Sequence, residues 1–299
     1  MDLLPSAARP AVRPVELDAD GIPLSGLLAE AAGGDVPRAL LVALHGGGMS
    51  AGYFDGRAIP GQSLLSLAAG AGATVLALDR PGYGASAPYL PEGLDLAGQT
   101  RLLYAALSGF ARGRDLGAGL FLVAHSSGGR LALSAAAEPR AELPLLGVDV
   151  SGLGRHFAVD RHELPASDGR GAWRRHWGAL RFYPPGAFRL GQELVRPTPE
   201  REARDVLEWP RAYPGIAARV RVPVRFTFAE QEQWWRHDEA ALGELLEPLA
   251  APRVEVARQS DAGHNISLGW AARTYHLRVL AFLEECLLAR ETAAPGRHR

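Results

Sequence analysis

Short apolar runs that end abruptly at glycine, serine or aspartate, each followed by a helical stretch, constrain this chain more than any other feature. RALLVALHGGG, ATVLALD, GLFLVAH, LPLLGVDVS and VPVRFTF are continuously apolar rather than alternating, as strands buried on both faces must be. Helical patterns separate them, around 62–71, 95–112 and 127–137. Strands that alternate with helices form right-handed crossovers, and so a largely parallel sheet covered on both faces. Upstream, VRPVELDADGIPLSGLLAEA reads as two strands joined by a turn at Asp20-Gly21. Downstream, PRVEVAR reads as a last strand, preceded by a helix around 238–249 and followed by one from about 270 to 289. The pattern predicts an α/β fold with a doubly wound, mostly parallel eight-stranded sheet.

One segment breaks the rhythm. Residues 154–219 contain no clear strand but many prolines, arginines and aromatics. A structureless loop of that length is rare in a compact domain, so helices are expected there. The predicted organisation is a core of 12–153 and 220–290, a helical insertion at 154–219, and flexible termini at 1–11 and 291–299.

Charge and composition exclude several function classes. The net charge is −1, without a long basic run, which argues against nucleic acid or an anionic membrane as partner. Every basic side chain is arginine, and the abundance of Ala, Gly and Arg fits a GC-rich bacterial genome. The single cysteine, Cys286, excludes an internal disulfide, offers no metal cluster, and sits in the apolar helical pattern AFLEECLLA as a packed thiol. The N-terminus lacks an apolar core of signal-peptide length, and no stretch approaches the roughly 18–20 apolar residues of a membrane span. A cytoplasmic protein acting on a small molecule is the expectation; nothing sets an oligomeric state.

The chemistry is carried by four local patterns. In LVAHSSGGRLAL a strand runs into a helix through Ala124-His125-Ser126-Ser127-Gly128. A serine at such a sharp turn needs small residues two before and two after it, so that backbones can approach; this is the content of a nucleophile elbow. LHGGGM, at 44–49, exposes backbone N–H groups after an earlier strand. A tetrahedral oxyanion needs such donors, here the amide of Gly47, with Gly46 or Gly48, acting beside that of Ser127. His45 is expected to brace this loop. Among the histidines only His264, in SDAGHNISL, lies in a Gly-flanked loop at the sheet edge, between the last strand and the last helix. His125 adjoins Ser126 but is expected to point elsewhere, and His276 lies on a helix. The strand VPVRFTF leads into AEQEQWW, where Glu232 is the favoured partner of the imidazole Nδ1–H and Glu230 the alternative. Asp149 and Asp261 are expected to be structural.

These pieces together resemble the α/β-hydrolase family over roughly residues 12–290. Ser126, Glu232 and His264 follow the family order of nucleophile, acid and histidine. DRPGYGAS at 79–86 resembles a turn that many members carry beside the active site, and 154–219 resembles the family's helical lid. The resemblance implies acyl transfer to water through an acyl-enzyme on Ser126, with an ester or thioester as substrate and no cofactor or metal. Trp173, Trp177, Phe182, Tyr183 and Trp209, with Trp234 and Trp235 beside the acid, would line an apolar cleft or, equally, fasten the insertion to the core. A lyase or cyclase on the same scaffold, or a binding protein with a vestigial triad, are the alternatives.

Overall fold

A computed structural model describes residues 10–33, 36–160, 163–164 and 173–293, with the side chains of residues 173 and 293 outside the description. The strands are β1 (Val12–Ala19), β2 (Ile22–Ala29), β3 (Leu40–Leu44), β4 (Thr74–Leu78), β5 (Leu120–His125), β6 (Leu145–Ser151), β7 (Val224–Gln231) and β8 (Val254–Gly263). They form one eight-stranded sheet in the order β1-β2-β4-β3-β5-β6-β7-β8. β1 and β2 are an antiparallel hairpin that joins β4 antiparallel. From β4 onward every neighbouring pair is parallel.

The crossover helices are α1 (Leu64–Gly70), α2 (Leu96–Ala111), α3 (Ser127–Ala136) and α8 (Glu239–Leu246), and α9 (Ala272–Ala293) follows the last strand. Between β6 and β7 lie α4 (Trp173–Trp177), α5 (Ala187–Leu194), α6 (Glu200–Asp205) and α7 (Trp209–Ala217), the helices expected in the insertion. The final helix reaches Ala293, into the stretch at 291–299 expected to be a free tail. The sequence places no breaker before Pro295, so nothing stops it earlier.

The central strands are buried at every position, and their two faces feed different cores. Leu40, Val42 and Leu44 pack with Leu103, Leu107 and Leu131 from α2 and α3. Leu41 and Ala43 pack with Leu65, Val279 and Phe282 from α1 and α9. Period-two alternation thus fills both layers. Cys286 belongs to the second layer as a buried thiol. Asp149 lies 2.6 Å from the Arg225 guanidinium and accepts the Tyr275 hydroxyl at 3.1 Å.

Two core histidines are held neutral by their hydrogen bonds. His276 donates from Nδ1 to the Gln62 carbonyl (2.8 Å), and its Nε2 accepts from the Ser267 hydroxyl (3.0 Å). His45 donates from Nδ1 to the Gly46 carbonyl (2.8 Å), and its Nε2 accepts the Arg80 amide (3.0 Å). Burial lowers the pKa of both, that of His276 to about 4. A histidine with a depressed native pKa loses stability as the pH falls from its unfolded value, 6.5, toward the native one. For His276 that window is 6.5 down to about 4, at about 1.4 kcal/mol per pH unit. Urea unfolding should therefore give a lower stability at pH 5 than at pH 7, and His276→Gln, which takes up no proton, should show a shallower decline.

Candidate active site

The chain passes from β3 to β4 on one side of the sheet, and from β5 to β6 on the other, while β3 and β5 lie side by side. The loops after these two strands diverge and open a crevice at their carboxyl ends, the switch point where ligands bind in open α/β sheets. The glycine loop 46–48 and Ser126 occupy this crevice, with Glu232 after β7 and His264 after β8 on the same edge.

Ser126 links β5 to α3 with φ 50° and ψ −120°, a strained conformation for a residue with a Cβ. The turn is clamped from both sides: its amide donates to the Ser151 carbonyl and its carbonyl accepts from the Gly129 amide, each at 2.8 Å. Close backbone approach explains the glycine two residues on. A Cβ on Gly128 would stand 2.3 Å from the Leu44 carbonyl oxygen and 2.6 Å from that of His45. The small residue two before the serine, Ala124, is fully buried between β3 and β6.

The structure pairs His264 with Glu232, not with Glu230. The Nδ1 of His264 lies 2.8 and 3.0 Å from the two carboxylate oxygens, and the Glu232 side chain is sealed from solvent. Glu232 also accepts the Trp234 amide at 2.9 Å, which fixes its rotamer. A register shift between Ala229 and Gln231 turns Glu230 outward, where it caps the Asp261 amide at 2.8 Å. Two positions at a strand end thus separate a buried partner from a surface one.

Two further histidines surround this pair. His125, expected to point away, instead packs with its ring centroid 4.6 Å from that of His264, and stacks on Tyr53 on its other side. Its Nδ1 meets the Ser151 hydroxyl at 3.1 Å. Gly152 makes this possible: with φ 60° it has no side chain where a Cβ would lie 2.9 Å from both the His125 and His264 rings. His176, from α4, lies 5.8 Å from His264 and 4.9 Å from Trp234, ring centre to ring centre. Burial, then the neighbouring His264, lowers its pKa to about 3, so it is neutral. Its carbonyl accepts the Asn265 amide at 3.1 Å, tying the insertion to the histidine loop.

Gly46, Gly47, Gly48 and Ser127 all line the cavity beside Ser126. Ser127 is the first residue of α3, so its amide has no partner within the helix. Among the described residues the Gly47 amide has none either. His45 braces the loop through the bonds described above.

The cavity encloses about 210 Å³. Trp177, Trp234 and Trp235 line it, with Phe157, Leu164 and Val206, which sequence reasoning did not single out. Phe182, Tyr183 and Trp209 do not. Trp209 is buried in the sheet-side core and donates to the Gly154 carbonyl (2.9 Å), while Tyr183 packs against Trp177 and Phe188, and Phe182 joins the α9 layer. These three fasten the insertion to the core. The side chain of Trp173 lies outside the described residues. His162 and His298 are also outside them. Among the described residues no helix is long and apolar enough to cross a membrane.

Comparison with known proteins gives no match among curated sequences. Solved structures are similar in fold. The monoacylglycerol lipase of Paleococcus ferrophilus superposes with a TM-score of 0.63 at 17% identity, over 92% of this chain and 99% of that one. An esterase of M. tuberculosis gives 0.61 at 19%, over 93% of each chain. Est1E of Butyrivibrio proteoclasticus, solved with ferulic acid bound, gives 0.59 at 16%, over 92% and 99%. The model of the alpha/beta hydrolase family matches residues 41–274, which span β3 through the start of α9. With the sheet order and the strand–turn–helix at Ser126, that match makes this chain a member of the alpha/beta hydrolase family.

Proposed function

We propose that the protein is a serine hydrolase that cleaves an ester or thioester of a hydrophobic small molecule through an acyl-enzyme on Ser126. The observation that carries this reading is the buried His264–Glu232 pair at 2.8 Å, on the same cavity as a serine held in an elbow. In this reading His264 Nε2 takes the proton from the Ser126 hydroxyl as the oxygen attacks the substrate carbonyl carbon. Glu232 accepts the Nδ1–H throughout, holding the tautomer and stabilising the imidazolium as it forms. The Gly47 and Ser127 amides donate to the oxyanion. His264 then protonates the departing alcohol or thiol, and water releases the acid by the reverse sequence.

The cavity supports the substrate class. A wholly apolar cavity of about 150 Å³ accommodates a benzene molecule, so about 210 Å³ suits a single ring or a short acyl chain. Its walls of Trp177, Trp234, Trp235 and Phe157 favour an aromatic or branched apolar group, and Phe157 already stacks on Trp235 at 4.4 Å. A fold relative solved with an aromatic acid bound, ferulic acid, is consistent with such an acyl group. The insertion 154–219 supplies Trp177, Leu164 and Val206 to this wall, in keeping with a lid.

Intact mass after treatment with a fluorophosphonate should reveal one adduct on the wild type and none on Ser126→Ala. A folded wild type that resists labelling would remove the acyl-enzyme and move a lyase or a ligand-binding protein ahead. Glu232→Gln should lower kcat for an aromatic ester by about 10⁴-fold, as loss of the acid does in a triad. Glu230→Gln should leave kcat within about twofold, because surface substitutions away from a site change little. Gly152→Ala should lower kcat by about 10²-fold through displacement of His264; a rate equal to wild type would show that this ring is not where the chemistry needs it.

A further inference from the structure

Beneath the glycine loop lies a charged cluster that the acyl-transfer steps do not use. Arg80, from the turn after β4, is wholly buried and forms a two-pronged ion pair with Glu202, from α6, at 2.8 and 2.9 Å. Arg130, on α3, stands 3.9 Å from the same carboxylate and donates to the Ser127 hydroxyl at 3.3 Å. The other charged side chains of α6 are more exposed: Arg201 meets Asp95, and Arg204 meets Glu200. Glu202 alone among them is turned inward.

Apart from a bond from Arg80 to the Gln99 side chain on α2 (3.2 Å), the contacts of this cluster lead to the loop. The Nε of Arg80 donates to the His45 carbonyl (2.7 Å) while its amide donates to the His45 ring (3.0 Å). The Tyr83 hydroxyl accepts from Arg80 (3.4 Å) and from the Gly48 amide (3.3 Å). A Cβ on Gly47 would sit 3.5 Å from a Glu202 oxygen and 3.3 Å from the Ser127 hydroxyl. The insertion adds a main-chain tie, the Arg196 amide to the Gly48 carbonyl at 2.9 Å. Next to it Pro199 seats so closely that a Cβ on Gly93 would fall 2.4 Å from its ring.

We infer that Glu202 is a positioning residue: it holds Arg80 against residues 45–48, so that the oxyanion donors are in place only when the insertion is seated. The catalytic half of this inference rests on the acyl-transfer reading above; the loop-ordering half does not. Glu202 does not itself handle a proton, since both its oxygens are engaged by one guanidinium. Stability alone is a poor reason for the cluster, because buried ion pairs can often be exchanged for apolar groups of similar volume without loss. Two guanidinium groups facing one carboxylate also leave net positive charge under the place where the oxyanion forms.

Hydrogen exchange of peptides covering 44–52 and the kinetics of p-nitrophenyl acetate test this on Glu202→Gln and on the double variant Arg80→Met, Glu202→Leu. Exchange in this segment should rise about tenfold or more, and kcat should fall about 10²-fold with KM within about threefold. If the single variant fails to fold, with two buried arginines left unpaired, the double variant carries the decision. Glu202 also lines the cavity, so a rise in KM alone, which would confine it to substrate binding, overturns the inference, as does a folded double variant with wild-type exchange and kcat. Exchange needs no turnover: a wild type without fluorophosphonate adduct or esterase activity would sink the hydrolase reading, while the loop measurement still decides this one.

Discussion

The start of α3 is pressed so tightly against the end of β3 that only hydrogen atoms fit between Gly128 and the Leu44 and His45 carbonyls. Much else follows from that contact. The register of the parallel pair, with Leu44 opposite Ala124, brings the two strand ends level. The chain must then turn at Ser126 with a positive φ to let α3 begin, and the same turn leaves the Ser127 amide without a helical acceptor. The loop after β3, forced to pass over this junction, lays Gly46 within 3.2 Å of the Ser126 Cβ, were it to carry a side chain. A serine hydroxyl and two free amides come together as a by-product of packing a helix against a sheet.

Around that junction the protein spends buried polar groups in sets that are almost closed. His45 and His276 are neutral, each with a donor and an acceptor satisfied. His125 and His176 are also held neutral by burial, so the ring of His264 sits among uncharged neighbours and a single buried carboxylate. In a medium of low polarity that carboxylate dominates the field at the ring. The guanidinium groups lie on the opposite side, under the glycine loop. A buried carboxylate thus faces the imidazole, while two guanidinium groups around Glu202 underlie the glycine loop.

The fold was legible because its signals are local: a run such as LLVAL or TVLAL, short, apolar throughout and bounded by turn residues, reads as a doubly covered strand. The elbow, the glycine loop and the histidine loop were legible for the same reason, each being short and placed next to a strand end. Glu232 and Glu230 could be ranked but not separated, since the register shift that divides them depends on the pairing of β7 with β8. The aromatics of the insertion divided unpredictably. Trp177 faces the cavity and Trp209 the core, and nothing within a few residues of either distinguishes them. Glu202 was least legible of all. EREARD reads as a solvated surface turn, and only the distant Arg80, 122 positions away in the chain, reveals that one of its carboxylates is buried. Gly152 carries its meaning in the two rings it leaves room for.

The bond from the Trp234 amide to Glu232 means that one wall of the cavity also holds the acid. The cavity therefore has a stiff half and a pliable half. Reshaping it at Trp234 or Trp235 would disturb the loop that orients the imidazole, so changes of preference made there would drag turnover with them. On the insertion side, Val195 and Ala203 adjoin Arg196 and Glu202, which anchor the glycine loop, whereas Val206 faces the same space three positions beyond Ala203. Variation in what the protein accepts can accumulate at Val206 with least disturbance to the glycine and histidine loops, which makes it the natural place to redesign selectivity.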